Sequence, residues 1–336
     1  MGTYKNLRGF KVPTYAADPV ISQGWSSGGN TNVTRYQMAS AGTATATVTG
    51  LGATPYPYSA QVEEYNGTGW TEVTNHPRAS GYASMSWCGV QTAALVAGGY
   101  HGPPSPGPWA DCFLYDGTNW STTGSMSSGR TQGGLCGTTS AGLWAGGQLP
   151  ALTDICEEFN GSTWAAQNAL NTPRNNNVNA GIQTDAITIG GANPGAPDTY
   201  KAEEYNGTSW VVGGLLNQGR AGFQNPGGGS SGTAAIVAAG DPGPGYSNYT
   251  ESYNGTAWSE LTALPYVTQT GGGAGSATNY LVNNGGSPGG AINTTSIYAE
   301  NSEPNTFLLE GQVWYNSTDG DLKFYDGSTI KTVTVS

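Results

Sequence analysis

The apolar pattern along this chain is short and recurrent. Runs of about five apolar residues end in glycine, as in AALVAGG (Ala93–Gly99), AGLWAGG (Ala141–Gly147), DAITIGG (Asp185–Gly191) and AAIVAAG (Ala234–Gly240). Runs of that length bounded by glycine predict buried strands. After each comes a segment with a fixed internal ruler, already present upstream as QVEEYNGTGW (Gln61–Trp70). It returns as CFLYDGTNW (Cys112–Trp120), EEFNGSTW (Glu157–Trp164), AEEYNGTSW (Ala202–Trp210) and TESYNGTAW (Thr250–Trp258). In each, a Tyr or Phe precedes Asn-Gly or Asp-Gly, and a Trp stands five residues after the aromatic. Asn-Gly predicts a hairpin with a type I′ turn, both turn residues taking positive φ. The aromatic and the Trp then lie on neighbouring strands, where they can anchor one sheet against the next.

An Arg stands ahead of each unit: Arg35, Arg78, Arg130, Arg174 and Arg220. Arg, strand, strand with Gly-Gly, strand with aromatic, turn and strand with Trp make four short strands in roughly 46 residues, the size of a propeller blade. Ahead of the first hairpin, ATATVTGLG supplies the opening strands of blade one. After the fifth, Tyr266 to Glu300 offers Gly285-Gly286 and an aromatic at Tyr298, but no Trp. The missing strand is expected at the other end of the chain. Trp25 stands ten residues before Arg35, the spacing of Trp120 to Arg130, Trp164 to Arg174 and Trp210 to Arg220. A strand over Gly24–Ser27 then completes blade six, and the fold class is an all-β, six-bladed propeller closed by an N-terminal strand.

The ordered series Arg, Gly-Gly, aromatic, Gly and Trp resembles the kelch motif over roughly residues 22–301. That resemblance implies a β-propeller in which the first strand of each blade lines the central channel. It says little about activity, because propellers host enzymes, binding modules and scaffolds alike. The sixth copy departs from the pattern in lacking Asn-Gly-x-x-Trp, and the fifth has Ala-Ala-Gly for Gly-Gly. The two ends, MGTYKNLRGFKV (Met1–Val12) and EGQVWYNSTDGDLKFYDGSTIK (Glu310–Lys331), resemble short modules of marine bacteriophage tail and appendage proteins. The expected organisation is an attachment arm over 1–21, the propeller over 22–301 and a C-terminal β-hairpin module over 302–336. In that hairpin, Gln312–Tyr315 and Leu322–Tyr325 flank a Ser-Thr-Asp-Gly turn.

Composition narrows the function classes. With 54 Gly in 336 residues, the chain suits many short strands and tight turns. Eleven Lys and Arg against 22 Asp and Glu give a net charge of −11 and argue against nucleic acid, whose phosphates need clustered cations. No stretch has the length of a membrane-spanning helix, and the N-terminus lacks the apolar core of a signal peptide. The expectation is synthesis in a host cytoplasm without a signal peptide, no membrane insertion, and residence in a virion tail or fibre. The four cysteines, at equivalent positions in adjacent blades, read as buried free thiols.

Catalytic chemistry has little to work with. His76 and His101 fall in separate loops and are expected to be solvated. Kelch relatives that oxidise sugars use a copper site of Tyr, His and a thioether-linked Cys, a set that cannot be assigned here, so no metal or cofactor is expected. Asp116 in Asp-Gly-x-x-Trp resembles a sialidase Asp-box turn, but the other copies carry Asn. The Glu pairs 63–64, 157–158 and 203–204 cannot act as dyads, since adjacent strand residues point to opposite faces. Asn66, Asn160, Asn206 and Asn254 match glycosylation sequons but are explained by the turn.

Two sets of residues remain as candidate binding groups. Arg35, Arg78, Arg130, Arg174 and Arg220 either span blades by bonding carbonyls or Glu, or form an anion site at one channel mouth. The loops between second and third strands, rich in Pro and Gly, carry Tyr56, Tyr58, Tyr100, Trp109, Asp111, Tyr200, Tyr246 and Tyr249, aromatic and polar groups of the kind glycan recognition needs. The reading is a non-enzymatic virion protein that meets a host-surface glycan, with termini that dock to other tail proteins or oligomerise. The alternatives are a glycan-active lyase or sialidase-like propeller, and a purely structural fibre subunit.

Overall fold

The computed structural model describes residues 14–15, 24–53, 58–78, 82–101, 106–193, 200–222, 228–243, 245–299, 313–317, 320–325 and 330–333. The chain divides into two compact units, Gly24–Ala299 and a unit built from its two ends.

The first unit is a six-bladed β-propeller of four-stranded antiparallel sheets. Blade 1 runs from the axis outward as Ala39–Thr43, Ala46–Gly50, Val62–Tyr65 and Trp70–Val73, and blade 2 as Ser86–Val90, Ala93–Ala97, Cys112–Tyr115 and Trp120–Thr123. Blades 3 to 5 repeat this order from Gly134–Thr138, Val178–Ile182 and Gly228–Ser231. Blade 6 consists of Gly272–Ser276, Asn279–Ser287, Gly290–Ala299 and, outermost, Gly24–Ser27. The innermost strands neighbour one another in a closed cycle around the axis, each the inner edge of its own sheet.

Closure by the N-terminal strand restores the aromatic pair that blade 6 lacks in sequence. Trp25 pairs in register with Tyr298, and their ring centroids are 5.5 Å apart. The same aromatic–Trp pair recurs at 4.8 to 5.1 Å in the other blades, for example Tyr65 with Trp70 and Tyr205 with Trp210. Most of these Trp indoles reach the previous blade. Nε1 of Trp120, Trp164, Trp258 and Trp25 donates to the carbonyls of Thr74, Gly124, Gly214 and Thr262. One side chain thereby staples its own hairpin and the joint between blades.

The hairpin turns differ from the type I′ expectation. In each of the five copies only the glycine has positive φ, as at Gly67 and Gly117. The preceding Asn or Asp instead uses its side chain. Oδ1 of Asn66 accepts from the backbone N–H groups of Thr68 and Gly69, both at 3.0 Å, and Asp116 Oδ1 does the same for Thr118 and Asn119. This is an Asx turn inside a four-residue loop. It explains why Asp replaces Asn at 116, since the turn needs only an acceptor. Its two N–H donors also hold the Asp116 carboxyl below the usual range.

A second closure lies at one mouth of the channel. Gln37, Ser84, Gln132, Asn176, Gly222 and Thr270 occupy one equivalent position per blade, all with φ between 52° and 60°. Each donates its N–H to the carbonyl of the residue before it in the ring: Ser84 to Gln37, Gln132 to Ser84, Asn176 to Gln132, Gly222 to Asn176, Thr270 to Gly222 and Gln37 to Thr270. The circuit of backbone bonds passes through all six blades. Five of its members are not glycine, at a cost of about 1–2 kcal/mol each for the left-handed conformation, so the blades around them must hold the geometry.

The second unit is a four-stranded sheet ordered Thr14–Tyr15, Val313–Asn316, Asp321–Tyr325, Ile330–Thr332. The expected C-terminal hairpin is its middle, with Tyr315 opposite Leu322. The sequence did not indicate that Thr14–Tyr15 adds a parallel strand beside Tyr315–Asn316, or that Ile330–Thr332 adds another.

Candidate functional site

The arginines come first, because their placement changes which chemistry is open. Arg35, Arg130, Arg174 and Arg220 are at most 1% exposed, and each is ion-paired with a buried carboxylate in the third strand of its own blade: Glu63, Glu157, Glu203 and Glu251. The carboxylates are satisfied further by backbone and amide donors. Glu203 accepts from Asn171 N at 2.7 Å and Nδ2 at 2.9 Å, and Glu251 accepts from the matching atoms of Asn217. These four arginines are therefore struts inside blades and are not available to an external anion, which corrects the channel-mouth anion site.

Arg78 does not belong to the series. It stands eight residues after Trp70, where the others stand ten after their Trp, and its side chain is 40% exposed. It pairs with Asp111, and its guanidinium lies 4.6 Å over the Trp109 ring. Phe113 takes the place that Glu occupies in the four paired blades. Blade 6 is analogous, with buried Thr268 and Ser296 at the Arg and Glu positions. Where one member of the buried pair is missing, the other is missing too, as the cost of an uncompensated buried charge requires.

The second Glu of each pair points the other way, to the neighbouring blade. Tyr115 Oη donates to Glu64 at 2.9 Å, Tyr205 to Glu158 at 3.0 Å, and Tyr253 to Glu204. Blade 2 carries Leu114 here, and the next blade answers with Phe159, which has no hydroxyl to leave unpaired; Leu114 packs on the cluster that holds Phe159.

Both histidines are buried, at 3% and 7% exposure, contrary to the solvated-loop expectation. His76 donates its backbone N–H to Ala60 as Met126, Leu170 and Leu264 do to Ala110, Asp154 and Asn248, so it fills a position that is otherwise apolar. Its ring packs edge-on to Phe113 and Trp120. Burial, helped by Arg78, drives its pKa down to about 3. An unfolded His76 takes its proton near pH 6.5. Between these values unfolding binds a proton, so stability is complete above about 6.5 and falls as pH drops toward 3. His76→Leu should flatten the dependence of melting temperature on pH over that window; an unchanged acid limb would contradict this assignment.

The candidate loop residues separate into three places. Tyr58 and Tyr100 line one cleft of about 320 Å³ over blades 1 to 3, at the lower end of small-ligand sites. Gln132, Gln148, Pro108 and Pro150 complete its walls and floor, with Gln37 and Ser84 of the backbone ring beneath. Trp109 does not present an open face, because Arg78 covers it and His101 packs against it at 5.0 Å, and Asp111 is occupied by Arg78. Tyr200, Tyr246 and Tyr249 stand on blades 4 and 5, outside the cleft. Tyr56 lies outside the described residues.

The cleft is built from paired backbone. Tyr100–His101 forms a small sheet with Tyr82–Ala83 and Gly107–Pro108; Gln148–Leu149 pairs with Ala151–Leu152; Tyr58 bridges to Ala53. Sequence reasoning found the two tyrosines but missed the three glutamines, which no motif marks. All four cysteines are free and buried, and burial raises each thiol pKa, to about 12 at Cys112 and Cys156. Among the described residues no group of three His, Cys, Asp or Glu could hold a metal.

No family model and no curated protein matches the chain. Many solved structures do match in fold. Among them is the structure of YjhT, at a TM-score of 0.66 and 14% identity, covering 92% of this chain and 100% of that one. At that identity the likeness speaks to architecture alone, and with the blade topology above it makes the body of this chain a six-bladed β-propeller.

Proposed function

We propose that the protein is a non-enzymatic attachment propeller, carried on a virion tail or fibre, whose loop face binds a host-surface glycan. The observation that carries the binding half is the cleft: two tyrosines, two prolines and three carboxamides, with no carboxylate, imidazole or cation among the described residues of its lining. Stacking surfaces and hydroxyl partners suit a sugar, and among the described residues of the lining none is the carboxylic acid or base a glycosidase would position there. The virion half rests on the resemblance of the terminal segments to phage appendage modules. In this reading the terminal sheet docks to other tail proteins or joins identical subunits, and several weak clefts on one particle gain avidity without new contacts.

Incubating the full chain with host-surface polysaccharides tests this. Weak saturable binding without release of new reducing or unsaturated ends is expected. Product that accumulates with time, and stops when His101 is changed, would establish the enzyme instead.

A further inference from the structure

We propose that the cleft over blades 1 to 3 takes the uncharged end of a glycan and that Gln132 is the residue that reads it; this rests on the glycan-binding reading above. The charge argument is direct. Four of the five candidate arginines are sealed inside blades on glutamates, and Arg78 is engaged by Asp111. Among the described residues, the cleft lining contains no carboxylate, imidazole, ammonium or guanidinium group. A net charge of −11 opposes the approach of uronates, sialic acids and sulfated sugars.

The polarity of the cleft is set by one side chain behind it. Asn175 Nδ2 donates to Oε1 of Gln132 at 3.0 Å and to Oε1 of Gln148 at 2.9 Å, so both its protons are used on carboxamide oxygens. Each glutamine must therefore turn its NH₂ group away from Asn175. Gln148 spends its own on the Pro150 carbonyl at 3.1 Å. Gln132 lines the cleft with Tyr58 and Tyr100, and its Nε2 has no acceptor among the described residues. The backbone of Gln132 is fixed at both ends by the ring, donating to Ser84 and accepting from Asn176. A held donor in a cleft shared with two aromatic side chains suits a sugar hydroxyl or acetamido oxygen, and its pre-organisation removes part of the ordering cost of binding.

Saturation-transfer NMR and calorimetry on the full chain, with neutral oligosaccharides and with uronate-containing and sialylated ones, test the proposal. Neutral sugars alone should bind, with an affinity unchanged from about 0.05 to about 0.5 M salt. Gln132→Ala and Tyr100→Ala should each weaken binding roughly three- to tenfold. Asn175→Asp can only accept, so it turns the Gln132 oxygen toward the ligand and should weaken binding similarly; the buried carboxylate lowers the melting temperature, so binding is measured well below the variant's transition. Neutral sugars bound undiminished by these variants but lost with Tyr246→Ala and Tyr249→Ala would keep glycan binding and remove the cleft. Salt-sensitive binding of acidic sugars alone would overturn the neutral assignment, and no binding of either class would overturn the glycan reading as well.

Discussion

Replacing Glu203 by Leu should lower the melting temperature by roughly 10 °C, because it strands the Arg174 guanidinium in a site 1% exposed. Removing one partner of a buried pair costs about 3–5 kcal/mol, against a total stability on the order of 10 kcal/mol. Asn171 and Thr172, whose N–H groups also donate to Glu203, lose their acceptor in the same substitution. Blade 6 shows how the chain avoids this cost, with Thr268 and Ser296 in place of the pair. The double variant Arg174→Thr/Glu203→Ser should therefore be more stable than Glu203→Leu, although it has lost more side-chain volume. If the double variant were the less stable of the two, the pair would be held by packing and not by charge compensation.

Removing residues 1–28 should have an effect at least as large. It takes away the outer strand of blade 6 and exposes the ladder of Gly290–Ala299 as an edge, and with it the Trp25 ring that covers Tyr298. Trp25 also donates to the Thr262 carbonyl at 2.9 Å, so the joint between blades 5 and 6 loosens at the same time. Because the deletion also removes Thr14–Tyr15 from the terminal sheet, Trp25→Ala in the full chain isolates the closure term; Trp25 is half-buried, so its loss should cost less than the value of about 3–5 kcal/mol typical of fully buried Trp→Ala. Calorimetry and light scattering should show a lower transition and aggregation for the deletion. A truncated chain that melts like the full one would mean the backbone ring at the channel mouth closes the propeller unaided.

The blades were legible because their signals are local and repeated. Aromatic, Asn-Gly or Asp-Gly and Trp at fixed spacing, with glycine-ended apolar runs, mark the outer hairpins of blades 1 to 5, and the Trp25 to Arg35 spacing identified the closing strand of blade 6. The turn type was misjudged because Asn-Gly can supply positive φ or an Asx acceptor, and only the backbone distinguishes them. Arg78 was misgrouped although its spacing of eight from Trp70 already set it apart. The rest was out of reach for a physical reason. Whether an arginine faces a channel or a glutamate depends on contacts between residues about 30 apart, as with Arg35 and Glu63. The cleft joins Tyr58, Tyr100, Gln132 and Gln148 from three blades, and glutamines without periodicity carry no signal in one sequence. The ring of left-handed residues was hidden because Gln, Ser, Asn and Thr in that conformation look like ordinary loop residues.

The most direct test is a crystal structure of the full chain with a neutral oligosaccharide bound. The sugar ring should lie between Tyr58 and Tyr100, with one of its oxygens within hydrogen-bond distance of Gln132 Nε2. Sugar density at Arg78 and Asp111, or on blades 4 and 5 beside Tyr200 and Tyr249, with the cleft left to water, would contradict the account.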